Sequence, residues 1–314
     1  MLRIKIGARL RPYSHIPGMV CLLPGTTTRM TVYPTKIVYE DLSGAFPVKV
    51  KEVDFARTGP VQGFTVQQDL ERGRVSVWGH AQEGYFQFIE EGKAPEQIER
   101  LSLGSHKAQD QALVQRRLDF TEIFPLWFQL GQMLPPLTEK AFEGSLVLLD
   151  DCQKTIASNK PETILTAFEK VYLAGFEGLL SPRLNDEDYQ GLGVSPASTN
   201  SASPLWLLKK GTELIRSLFI NFSGEKLTLL PALPPQFHSG RLLGARLEGI
   251  GTLDMEWSRK EMRRCVIHCS QATEIAISPT HQKSFRLNKQ KRHSSGAVLQ
   301  LTPGEWQFDQ FMHL

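Results

Sequence analysis

The chain has 314 residues, 41% of them hydrophobic and 22% charged, and 36 basic against 33 acidic side chains leave a net charge of +3. That length accommodates two or three domains with a sizeable core. The composition excludes a disordered chain, and the charge balance gives no nucleic-acid footprint. Four cysteines are too few for a disulfide framework. No window approaches about 18 uninterrupted apolar residues, so no membrane partner is expected.

Residues 1–104 read as β-structure. Leu2, Ile4 and Ile6 alternate with Arg3 and Lys5, which predicts a strand over 2–10 and not the charged and apolar regions of a secretory signal. A cytoplasmic location is therefore expected. Further strands are predicted over 29–33, 36–39, 47–55, 63–68, 74–78, 85–89 and 99–103. Each is rich in Val, Ile, Thr or aromatics and bounded by Gly, Pro or Asp. Short strands at this spacing predict an antiparallel β-sandwich.

The period changes near Ser105. Ile164, Phe168, Val171, Gly175 and Leu179 form one helical stripe, and Leu207, Gly211, Leu214 and Leu218 form another. Five helices are predicted, over 108–118, 119–133, 138–157, 161–180 and 204–221. Asn159 is the expected cap of the fourth, with Pro161 in its first turn. From Lys226 the period returns to two. Strands are predicted over 226–230, 240–247, 251–257, 262–269, 274–277, 284–287, 298–301 and 306–308. The basic run from Lys283 to His293 reads as a solvated hairpin or loop. The predicted architecture is multidomain α+β: an N-terminal β-sandwich (1–104), a short helical middle (105–222) and a C-terminal antiparallel β-sandwich (223–314).

The crossing from helices to the last β-domain is the most distinctive stretch. Pro231, Pro234 and Pro235 stiffen it, then Gly240, Gly244, Gly249 and Gly251 lead to Asp254 and Trp257. With Gly224-Glu225, Leu229-Leu230-Pro231-Ala232-Leu233-Pro234 and Arg246, these residues resemble the C-terminal region of glycoside hydrolase family 95, the α-fucosidase type. Gly296 and Leu301-Thr302-Pro303-Gly304 resemble its closing strand and turn. The resemblance implies an N-terminal β-sandwich, an (α/α)6 barrel, a C-terminal β-domain and inverting hydrolysis by two carboxyl groups.

Two departures point to a shortened relative. Twelve barrel helices need on the order of 200 residues, and the five helices of 105–222 make only a reduced barrel. The resemblance also places a catalytic carboxylate 20–25 residues before the Leu-Leu-Pro motif. There this chain has Thr199-Asn200-Ser201-Ala202-Ser203-Pro204, with no acid. Ser203-Pro204 reads as a helix cap and first turn. Without one of the pair, general acid–base help of about 10²–10⁴-fold is lost. The expected function is carbohydrate binding without intact hydrolysis. A scaffold that kept only the fold, and a glycosidase with a relocated carboxylate pair, are the alternatives.

A relocated acid is sought first at Asp186 and Asp188, which with Glu187 and Arg183 flank Tyr189 and Gln190 just past a helix end. Acids beside an aromatic ring suit sugar hydroxyls. Trp206, next to the vacated segment, is a candidate stacking ring. His106 and Asp110, four apart, with Arg117 nearby, are candidates for binding an anionic group. Asp150-Asp151 reads as a helix surface. Cys265 and Cys269 read as buried strand residues, with His268 on the opposite face. No metal ligand set is assigned. Nucleotide-loop, zinc-protease and nucleophile-elbow motifs are absent, so no cofactor is implied. The open flank of a truncated helical layer would be apolar and predicts a homodimer.

Overall fold

The computed structural model describes residues 3–104, 107–158, 160–181 and 194–313. Nine strands come first: β1 (Tyr13–Ser14), β2 (Met19–Leu22), β3 (Thr28–Val32), β4 (Lys36–Asp41), β5 (Val48–Asp54), β6 (Gln62–Asp69), β7 (Arg74–Ala81), β8 (Gly84–Glu91) and β9 (Arg100–Ser102). The first eight form two four-stranded sheets, β1-β6-β7-β8 and β2-β3-β4-β5, with antiparallel neighbours throughout. Both sheets contribute to one apolar core: Met30, Val32, Ile37 and Tyr39 from one, Phe64, Val66, Val77 and Phe86 from the other.

The alternation at 2–10 does not mark a strand. In the described part, Ile4 and Leu10 are buried and Arg3, Lys5 and Arg9 exposed, yet no ladder forms. The main chain is held piecemeal: Leu70 N–H donates to Leu10 O at 3.1 Å, and Arg11 N–H donates to the Gln109 side chain at 2.5 Å. A period of two reports an extended segment with one side on a core, with or without a neighbouring strand.

Five α-helices follow among the described residues: α1 (Gln111–Arg117), α2 (Phe120–Gln132), α3 (Leu148–Ala157), α4 (Pro161–Ala174) and α5 (Leu205–Phe219). Pro161 opens α4, as its fixed φ allows. The helix stops at Ala174, short of the predicted 180, where Gly175 turns to φ 87°. Asn159 lies outside the described residues. No described helix is long and apolar enough to cross a membrane. Of the large exposed hydrophobics among the described residues, Val147 alone comes from 105–222, while Phe46, Val48, Val50, Tyr85 and Ile89 lie on or beside β5 and β8.

The chain then forms β10 (Ile220–Ser223), β11 (Lys226–Leu229), β12 (Ser239–Leu247), β13 (Gly251–Ser258), β14 (Glu261–Cys269), β15 (Thr273–Pro279), β16 (Ser284–Leu287), β17 (Lys291–Ser294), β18 (Val298–Leu301) and β19 (Gly304–Met312). A four-stranded sheet runs β10-β11-β15-β18, and a seven-stranded sheet runs β17-β16-β19-β14-β13-β12-β9. Strand β9 thus leaves its N-terminal neighbours and closes one edge of the last sheet, with Leu101 opposite Leu242. The basic run forms the hairpin β16–β17, turning at Asn288 and Lys289 with positive φ. Cys265 and Cys269 are buried and His268 is outward, 3.4 Å from Asp254.

An aromatic seam joins the helices to this sheet. Phe124 of α2 meets Phe168 at 4.9 Å and Phe237 at 5.4 Å; Phe219 of α5 stacks on Trp257 at 5.1 Å. Trp127 packs on Phe176 at 4.5 Å and donates its indole N–H to Leu208 O at 3.3 Å. Aromatic pairs in edge-to-face or offset-stacked geometry are worth about 0.5–1.5 kcal/mol each beyond the buried area. Gly211 gives the Trp127 indole its place against α5, because a Cβ there would run into the ring.

The glycines of the crossing have the same logic. Gly240 lies under the Trp257 ring and against the Ser102 carbonyl of β9, leaving no room for a Cβ. Trp257 is pinned by its N–H to Phe237 O at 3.1 Å. Gly244 sits at a bulge with φ 67°, and its N–H donates to Asp254 Oδ1 at 2.7 Å. We expect Gly240→Ala to lower stability in urea by about 1–3 kcal/mol, and Gly7→Ala, whose Cβ would meet nothing within 4 Å, to leave it unchanged.

On the opposite face of the large sheet, neighbouring residues across successive strands form a charge ladder: Arg292, Arg286, Asp309, Arg264, Glu256, Arg241. Arg286 bonds Asp309 at 2.8 Å, and Arg264 and Arg241 both reach Glu256, at 2.7 and 2.8 Å. Partial burial works against ionisation of Glu256, but the hydrogen bonds from Arg241 and Arg264 outweigh it and hold its carboxyl below the usual range. Such a group contributes stability fully above its unfolded value of about 4.3 and loses it as pH falls through the lower folded value. Melting temperature between pH 6 and pH 3 should therefore fall less steeply for Glu256→Gln than for the parent chain.

Candidate functional site

Of the segment that the resemblance marks for a catalytic acid, Thr199 and Asn200 are exposed and the next three residues are packed into the protein. Ser201, Ala202 and Ser203 are at most 3% exposed. Ala202 N–H donates to Ala141 O at 2.9 Å. The Ser203 hydroxyl donates to Leu42 O at 2.5 Å and accepts from Leu205 N–H at 3.1 Å, tying the start of α5 to the end of β4. The expected capping role of Ser203 is thus visible, with Pro204 at the helix boundary. Ser201 Oγ is buried with no hydrogen-bond partner among the described residues.

Trp206, on the first turn of α5, is 9% exposed. Its indole N–H donates to Thr138 O at 3.3 Å and its ring packs on Phe142 at 5.5 Å. Asp110 caps α1 by accepting from Leu113 N–H at 3.1 Å. Arg117, at the other end of α1, holds Glu122 Oε2 at 2.9 and 2.5 Å and Ala108 O at 3.0 Å. The hydrogen bonds of Lys107 to Glu122 and Asp119 raise its pKa and complete a local ion cluster. The cavity beside Lys107 and Glu122, at about 30 Å³, has room for little more than water. None of Trp206, Asp110 and Arg117 lines this cavity. His106, Arg183, Asp186, Glu187, Asp188, Tyr189 and Gln190 lie outside the described residues.

A larger groove, of about 270 Å³, lies where α2, α5, the 95–99 segment and β12 meet. Thr212, Glu213 and Arg216 lie three, four and seven residues after Lys209 on α5, so the four share a face. Glu99, 8% exposed, is the anchor. Its main chain and the Gln132 side chain exchange two hydrogen bonds, at 2.8 and 2.9 Å. Its carboxylate accepts from Arg216 Nε at 2.9 Å and from Arg246 N–H at 2.9 Å. Arg216 also donates to Arg246 O at 2.5 Å, and the Arg246 guanidinium donates to Gln97 O at 2.9 Å.

Both Glu99 carboxylate oxygens accept hydrogen bonds, from Arg216 Nε and from Arg246 N–H. Donors come from Lys209 and Arg246, and an exposed carboxylate from Glu213. These residues come from four separate segments, which hid the groove from sequence. Two partial signals existed: the polar stripe of α5 and Arg246 inside the family-like motif.

The buried serines allow a direct check on the vacated segment. Ser203→Ala removes two buried hydrogen bonds and should cost about 1–2 kcal/mol. Ser201→Ala removes an unpartnered buried hydroxyl and should be neutral or stabilising by up to about 1 kcal/mol. Denaturant titration of the two variants distinguishes these outcomes.

No curated protein matches the chain. Residues 223–309, which take in the glycines of the crossing, Asp254 and Trp257, match the family model of the glycoside hydrolase family 95 C-terminal domain.

Proposed function

We propose that this chain is a glycoside-hydrolase-like protein that binds a carbohydrate and does not hydrolyse it. In this reading residues 1–104 are an N-terminal β-sandwich that lends β9 to its neighbour. Residues 105–222 are what remains of an α/α barrel, and 223–314 are a C-terminal β-sandwich. The observation that carries the reading is the segment 199–204. It has no carboxylate, and Ser201 to Ser203 are packed against Leu42 and Ala141. A general acid or base needs access to the glycosidic oxygen or its attacking water; this segment lacks the group, and its residues 201–203 lack the access. The groove beside α5 is the place we assign to the sugar, since it combines fixed donors and acceptors at the joint between layers.

The test pairs two measurements on the full chain. Incubation with aryl α-L-fucosides and aryl galactosides should release no phenol above the protein-free rate. Calorimetric titration with mono- and oligosaccharides should show binding. Turnover that disappears in Asp188→Asn would restore the hydrolase reading. Absence of any sugar binding would leave a scaffold.

A further inference from the structure

We infer that the groove between α2, α5 and β12 selects an acidic saccharide, one bearing a carboxylate or a sulfate. The inference rests on the carbohydrate reading above and deepens it. Among the side chains lining the groove are three cations, Lys209, Arg216 and Arg246, and two carboxylates, Glu99 and Glu213. The internal pairings consume these unevenly. Arg216 and Glu99 neutralise each other at 2.9 Å. Glu213 is paired at 2.9 Å with Lys210, which is not among the residues lining the groove. Lys209 and Arg246 have no carboxylate within 4.0 Å among the described residues. The side chains lining the groove therefore sum to one net positive charge, with Lys209 and Arg246 unpaired among the described residues and the exposed Glu213 held by Lys210.

Arg246 is also held for the task. Its N–H is fixed by Glu99, its carbonyl by Arg216, and one end of its guanidinium by Gln97 O. The guanidinium is planar with five N–H donors, so one such bond leaves others to meet an anion in bidentate fashion. Charge-assisted bonds of this type are about twice as strong as neutral ones. At about 270 Å³ the groove is slightly smaller than the ~300 Å³ lower bound of drug-sized pockets, a scale that suits one sugar ring. Glu213 and Gln97 beside the cations can meet its hydroxyls.

Two of these residues can be changed with most of the frame intact. Glu99 and Arg216 hold Arg246 through its main chain, so Arg246→Gln keeps both contacts and gives up only the bond to Gln97 O, and Lys209→Gln breaks no ion pair among the described residues. The experiment is calorimetric titration of the full chain and both variants with glucuronate, a sulfated monosaccharide, glucose and L-fucose, at about 50 and 300 mM salt. The expected result is at least about tenfold tighter binding of an acidic sugar than of the neutral ones, or about 1.4 kcal/mol. That preference should weaken at the higher salt and fall at least about fivefold in each variant, with unchanged melting temperature. Glucuronate against sulfated sugar identifies which anion is preferred. Equal binding of neutral and acidic sugars, or variants that bind as the parent does, overturns this inference and leaves carbohydrate binding standing. No binding of any sugar overturns both.

Discussion

The fold depends on one continuous layer of aromatic contacts. Phe124, Trp127 and Phe168 on the helices, Phe176 after α4, Phe219 at the end of α5, and Phe237 and Trp257 in the crossing touch in sequence from one layer to the next. Five short helices would expose much apolar surface if left alone. Here that surface is covered by the C-terminal sheet on one side and by residues such as Leu22, Leu42 and Leu70 on the other, in one connected core. Close approach is the condition for this contact. Gly211 and Gly240 are set where a single methyl group would push a tryptophan out of place, and interiors packed to crystal density do not absorb such a shift cheaply.

This explains why the resemblance to a glycoside hydrolase domain concentrates in residues 223–309 and why it says more about architecture than chemistry. Gly240 admits Trp257, Gly244 and Asp254 make one bulge, and Gly249 and Gly251 make one turn, at φ 72° and 146°. None of these needs a substrate to be required. A motif of packing residues can persist after the catalytic layer beside it has shortened, because folding still depends on it.

Much of the fold was legible in the sequence because period and punctuation are local. The stripe Ile164, Phe168 and Val171 is fully buried as its spacing implied, and the basic run from Lys283 is a hairpin. What escaped was non-local. The alternation over residues 3–10 is real burial without a strand partner. Strand β10 follows α5 with no intervening turn residue to signal the change. The groove was hidden for the same reason, since Glu99, Gln132, Arg216 and Arg246 are dispersed along the chain and meet only once the layers close. Of the expected site residues that the structure describes, Trp206, Asp110 and Arg117 each had an attractive chemical type, but their hydrogen bonds serve caps and packing. Residue type alone cannot distinguish those uses.

Strand β9 imposes an order on how the protein comes to be. Its three residues pair with Arg241, Leu242 and Leu243, far downstream. During synthesis the segment must therefore wait, unpaired, until the helices and the proline-stiffened crossing have emerged. Contacts of such long sequence separation form late and slowly. The same pairing means that the seven-stranded sheet is not self-contained. Cut free at residue 223, β12 would present a bare row of amide and carbonyl groups, the kind of edge on which chains stack into aggregates. The N-terminal segment thus acts as a built-in guard for a sheet made after it.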